Sequence, residues 1–182
     1  MINWQHHVDL PAMRSETHFD GRVLRCFVER PPSLYAMLAR AVSNYPDHEA
    51  LACDGQRWTY RALNDEVDRI AAGLAAHGLC KGERVVMFIG NRPEFVAVLF
   101  ALQKLGVIAV PVGTREQSMG LAYILQQCGA AAIVLDQSLL PRLPDTAAIP
   151  SLRLCIVIPD SATSDAVKSN VMTSGAAKSD AV

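Results

Sequence analysis

A chain of 182 residues, 51% of them apolar, is long enough to bury the core of one domain. Its formal charge of −1, from 17 basic and 18 acidic side chains without a Lys/Arg cluster, offers no field for nucleic acid or anionic lipid, and a nucleic-acid role is excluded. The five cysteines (Cys26, Cys53, Cys80, Cys128 and Cys155) lack the close pairs of a zinc or redox motif, so they read as free thiols in a reducing compartment. No apolar stretch approaches membrane-spanning length, and the N-terminus lacks the basic-then-apolar order of a secretory signal. The expected location is cytoplasmic.

Residues 1–32 read as an irregular, polar N-terminal segment, with 22–27 as a short extended piece before Pro31 and Pro32. His6 and His7 are adjacent and point apart in most backbones, which suits a solvated tail better than a metal site. Ser33 then caps a helix with the stripe Leu34, Tyr35, Leu38, Ala41 and Val42, ending before Pro46. From Ala50 a hairpin follows, turned by Asp54-Gly55. Thr59 caps the next helix, which buries Leu63, Val67, Ile70, Ala71 and Leu74 and ends at Gly78. On its outer face Arg61 to Asp65 and Asp65 to Arg69 have the spacing of i,i+4 charge pairs, a solvated face rather than a site.

Residues 82–112 read as strand, helix, strand. The runs 85–89 and 107–112 are almost wholly apolar, as expected of parallel strands covered on both faces. Between them Phe95, Val98, Leu99, Leu102 and Leu105 recur at helical spacing, with Gly106 as the stop. Asn91 and Glu94 form a capping-box pattern around Pro93, a structural reading rather than a phosphate site. A dinucleotide fingerprint needs three glycines at this turn, and only Gly90 is present. Thr114 and Gln117 repeat the capping-box pattern before a helix with Leu121, Ile124, Leu125 and Cys128 inward. Strands are expected at 131–135 and 152–158. Strands alternating with packed helices make residues 33–158 an α/β layered sandwich with a mainly parallel sheet. Residues 159–182 are rich in Ser, Ala, Asp and Lys, repeat S-D-A-V, and are expected to form a mobile low-complexity tail.

Several of these segments, in this order, carry a resemblance. W-T-Y-R-A-L-N (58–64), L-Q-K-L-G-V-I-A-V-P-V (102–112) and L-A-Y-I-L-Q-Q-C-G-A-A-A-I-V (121–134) resemble the N-terminal part of AMP-forming acyl-CoA synthetases, which are adenylate-forming enzymes. The likeness covers about 30–158. It implies the fold of that family's N-terminal subdomain and a two-step ligase reaction, in which ATP and a carboxylic acid give an acyl-adenylate that coenzyme A converts to a thioester. ATP, Mg and coenzyme A are therefore implied as cofactors, and a carboxylic acid as substrate.

The family holds phosphates with a Gly/Ser/Thr-rich loop and completes its site with later segments, including a C-terminal lysine. This chain stops before those later elements. V-M-T-S-G-A-A-K-S (171–179) resembles the opening of the loop, and Thr173, Ser174 and Gly175 match it residue by residue. Ala176 and Ala177 stand where the family has hydroxyls, and Asp180 brings a negative charge near an expected lysine. Two readings of this stretch stand open: a degenerate phosphate loop, or a Ser/Ala-rich tail that matches by chance. No catalytic or metal-binding residue is assigned. The chain is expected to be inactive alone, as the N-terminal portion of such a ligase; the alternative is a non-catalytic relic or interaction module. Because only a polar tail follows Ile158, the sheet is expected to expose an edge and to self-associate or bind a complementary C-terminal fragment.

Overall fold

The computed structural model describes residues 11–160 and 170–173. The first element is an antiparallel hairpin, β1 (Met13–His18) with β2 (Arg22–Phe27), in a stretch whose sequence suggested only the second strand. Its first strand is spelled almost wholly in polar and charged residues, so no apolar alternation announces it. Helix α1 (Leu34–Asn44) follows, with Ser33 accepting at 3.0 Å from the Ala36 N–H. Next comes the hairpin β3 (Glu49–Cys53) and β4 (Gln56–Thr59). It runs directly into α2 (Tyr60–Ala76), which Thr59 caps through the Ala62 N–H at 3.2 Å.

The body is a five-stranded sheet built from β5 (Arg84–Phe88), β6 (Ile108–Pro111), β7 (Ala132–Asp136), β8 (Leu154–Ile158) and β9 (Asn170–Thr173). Its order is β6-β5-β7-β8-β9, with the first four strands parallel and β9 antiparallel to β8. Helix α3 (Pro93–Leu105) links β5 to β6, and α4 (Ser118–Gln127) carries the chain from β6 across to β7. Every residue of β7 and β8 is buried, as continuous apolar strands require when both faces are covered. One layer packs α1, α2 and α3 on Val85, Met87, Val134 and Ile156, and the other packs α4 on Val86, Phe88, Ile133 and Leu135.

Strand β9 corrects the expectation that only a polar tail follows Ile158: Asn170–Thr173, with Val171 and Met172 at its centre, contributes four residues of backbone pairing to β8. The opposite edge is β6. There Ile108 and Val112 donate inward to the Glu83 and Met87 carbonyls, so alternation turns the backbone nitrogens of Ala109 and Pro111 outward.

Three local expectations also differ from what forms. Arg92, not Asn91, occupies the N-cap of α3, and no side chain caps that helix. The Glu94 carboxylate is held by the Nε–Nη2 edge of the Arg92 guanidinium, a bidentate charge-assisted contact that outcompetes a single reach back to an amide. Likewise α4 begins at Ser118 rather than after Thr114, because 113–116 closes a turn with the Glu116 N–H on the Gly113 carbonyl. Gln117 instead donates its side-chain amide to the Arg115 carbonyl. On α2, Arg61 reaches out of the helix to Asp47 at 3.2 Å, and Arg69 takes the longer Glu66 side chain at i,i+3 rather than Asp65.

Candidate functional site

The chain goes from β5 to β6 on one side and returns past β5 to β7 on the other, so the order of strands reverses between β5 and β7. In open α/β sheets the carboxyl ends of the strands at such a reversal form the ligand crevice. Here the chain runs two residues past β5 to Gly90, and β7 ends in Asp136, a charged residue closing an otherwise apolar strand. The Gly90 N–H donates to Asp136 Oδ2 at 2.7 Å. A Cβ at Gly90 would lie 3.3 Å from that same oxygen, so the close approach of the two strand ends favours a residue without a side chain.

Arg92 completes the cluster. Its Nε and Nη2 donate to the two Glu94 oxygens at 2.8 and 3.1 Å, and its Nη1 donates to Asp136 Oδ1 at 3.1 Å. Both Nη1 and Nη2 also donate to the Pro159 carbonyl, at 3.1 Å each. One guanidinium thus ties the start of α3 and the ends of β7 and β8 together. Its side chain is 17% exposed, and those of Glu94 and Asp136 are 8% and 11%. The Glu94 carboxylate, with Asp136 behind it, holds Arg92 charged beyond the ordinary guanidinium range despite the cost of burial.

This cluster fills the crevice. Its cation is already shared by two carboxylates and a carbonyl, so the described residues at this edge do not fit a triphosphate, which needs uncommitted donors. Alongside lies a groove walled mainly by Ile70, Leu74, Val98, Val134, Ile156 and Ile158, with Glu94, Arg69 and His77 also in its lining. It adds a hydrophobic wall beside the cluster.

Of the candidate phosphate-loop residues, Thr173 ends β9, while Ser174 and Gly175 lie outside the described residues. In the antiparallel register Thr173 faces Leu154, at the amino end of β8. It therefore sits across the sheet from the Arg92 cluster, not with it. Next to Leu154, Arg153 is bound by both Glu83 oxygens at 2.8 and 2.7 Å, and by the Gly78 carbonyl at 2.9 Å. That contact depresses the Glu83 carboxyl below its usual range.

A second cluster, Glu16, His18 and Cys26, lies on the first hairpin with ligand atoms close enough for a metal. Its carboxylate already accepts from Arg14 at 2.6 Å and from Arg30 at 2.5 and 3.0 Å, and these guanidinium charges oppose a divalent cation. The Arg92 cluster was not read from the sequence, since its partners lie 44 and 67 residues away. The available signal was Asp136 itself, a carboxylate terminating a buried strand. Among the described residues no helix is long and apolar enough to cross a membrane.

Comparison with known proteins matches this architecture to adenylate-forming enzymes. The chain is 40% identical over 83 residues to the acyl-CoA ligase sidI of Aspergillus fumigatus, covering 44% of this chain and 14% of that protein. Against the mitochondrial medium-chain acyl-CoA ligase of Homo sapiens it is 36% identical over 102 residues, covering 55% and 17%. The chain thus spans less than a fifth of the length of either relative. Among solved structures, the anthranilate CoA ligase AuaEII, in complex with anthranoyl-AMP, aligns with a TM-score of 0.67 and 26% identity over 72% of this chain and 26% of its own. The N-terminal domain of FACL13 from Mycobacterium tuberculosis aligns with a TM-score of 0.63 and 25% identity over 70% of this chain and 33% of its own. The model of the AMP-binding enzyme family matches residues 38–180, from the middle of α1 to beyond β9, and the chain belongs to that family.

Proposed function

We propose that this chain supplies the N-terminal α/β subdomain of an AMP-forming carboxylic acid–CoA ligase. In that reaction a carboxylate attacks the α-phosphate of ATP, releasing pyrophosphate, and the coenzyme A thiol then displaces AMP from the acyl-adenylate. The observation that carries the reading is the family match across 38–180, together with relatives named as acyl-CoA ligases. The substrate is a carboxylic acid. The cofactors of the whole enzyme are ATP, Mg and coenzyme A, and its place of work is the cytoplasm.

Thr173, Ser174 and Gly175 are the residues we assign to phosphate contact. The described residues bring no free cation to Thr173, since Arg153 beside its partner Leu154 is committed to Glu83. We therefore propose that the chain is inactive alone and works only with a polypeptide supplying the rest of the enzyme body. The alternative, a non-catalytic interaction module, draws on Ala176 and Ala177, which remove two hydroxyl donors from the loop.

Carboxylate-dependent ATP–pyrophosphate exchange distinguishes these readings. The chain alone is expected to show none. Joined after its last residue to the C-terminal remainder of the human medium-chain ligase, it is expected to show exchange with a medium-chain acid, and Thr173→Ala is expected to reduce that exchange at least tenfold. A joined, folded protein without exchange would support the module.

A further inference from the structure

We infer that Arg92 is a positioning residue: through the Pro159 carbonyl it fixes where the chain leaves β8, and thereby sustains the pairing of β9 that delivers Thr173. The catalytic meaning of this inference rests on the proposed role of Thr173; the mechanical part does not. Arg92 sits at the start of α3, whose buried face is packed beneath α2 and against the sheet. It is therefore a rigid post. Two of its N–H groups converge on one carbonyl at 3.1 Å each, one residue after β8 ends. Asp136 and Glu94 occupy its remaining donors, so the guanidinium plane cannot rotate away without breaking three other contacts.

The pairing of β9 starts beside that post. Val157 faces Asn170 in the first step of the register, two residues before Pro159, so the chain leaves and returns at the same end of β8. Holding one end of such a connection restricts the open ensemble and lowers the entropy lost when β9 pairs. The strand has only four residues, and the sheet order places it at an edge, with β8 as its one neighbour among the described residues. An element with so few backbone bonds opens before the body of the sheet does. Loss of the post should therefore appear first, and most strongly, at β9.

Hydrogen exchange on the full chain tests this with Arg92→Lys, which keeps the charge but cannot bridge two carboxylates and a carbonyl from one plane. The expected result is at least tenfold faster exchange of those amides of 170–173 that pair with β8, with the amides of β5 and β7 changed less than threefold. Asp136→Asn, which weakens the hold on the guanidinium while preserving shape, is expected to act in the same direction with a smaller ratio, and serves if the lysine variant does not fold. Unchanged exchange of the paired amides in 170–173, an equal rise across all strands, or no protected amide in β9 of the unsubstituted chain would each overturn the inference. The assay involves no nucleotide. Failure of the ligase reading would leave it standing, and its own failure would leave that reading standing.

Discussion

The β1–β2 and β3–β4 hairpins are turned by the same dipeptide, with Asp20-Gly21 and Asp54-Gly55 all at positive φ. Beyond the turn they part. β3–β4 lays Leu51 and Trp58 against the layer formed by α1, α2 and α3. On β1–β2, Phe19, Val23 and Phe27 remain exposed, Phe19 at 78%, and the charged residues bond mainly to one another. A turn dipeptide shapes a hairpin, and the surface under it decides how much the hairpin contributes to stability, since two strands alone are marginal in water.

The sharpest way to test that contrast uses two arginines, each clamping a carboxylate, one in the body and one on the open hairpin. Arg92→Met strands two buried carboxylates and should cost about 3–5 kcal/mol in urea unfolding. Arg30→Met, which leaves Glu16 still accepting from Arg14 on a hairpin with little packed beneath it, should shift the unfolding midpoint far less. Equal shifts would mean that the first hairpin is docked as firmly as the second. A smaller effect is expected for the aromatic pair: Trp58→Ala should cost about 2–3 kcal/mol, at or below the low end for a buried aromatic because Trp58 is only half-buried. Phe27→Ala should stay within about 0.5 kcal/mol. Comparable losses from the two would break the comparison.

Helix caps give a third measure. Thr59→Ala, which removes the hydroxyl joining β4 to α2, should cost about 1 kcal/mol in the same melts. Asn91→Ala should cost no more than about 0.5 kcal/mol, because no side chain caps α3. The smallest effect concerns pH. Burial in β8 pushes the Cys155 thiol up to about 11, so the native state favours the neutral form. Its contribution is fully present below the ordinary thiol range and is lost as pH rises through about 11. Replacing Cys155 with Ala should flatten that part of the alkaline stability profile, and Cys80, which is exposed, should alkylate first at neutral pH.

Much of the sheet was legible because its strands are apolar on both faces and its helices carry one stripe each; the runs at 85–89 and 131–135 leave little choice. Ser33 and Thr59 were legible as caps because nothing nearby competes for their hydroxyls. Asn91 was not, because the decisive neighbour, Arg92, draws its partners from β7 and from the end of β8, and sequence spacing carries no trace of that meeting. β1 escaped notice because its residues are almost all polar and pair through the backbone without a periodic signal, and β9 because its apolar run, Val171-Met172, is only two residues long. As for the candidate site, Thr173 could be named from its motif, but its distance from the Arg92 cluster follows from the antiparallel return of β9, which no local pattern encodes.

Pro111 on the outer edge of β6 bears on how copies of this protein meet at high concentration. A strand that adds to an edge needs outward donors in register, and proline removes one of the two that alternation would offer between Ile108 and Val112. The remaining outward amide, at Ala109, gives a newcomer a single foothold. Templated growth along this edge should then nucleate poorly, and crowded solutions should show a long lag before any fibrillar phase. Association, where it occurs, would fall to side-chain surfaces such as the Phe19 tip, where contacts form and dissolve quickly.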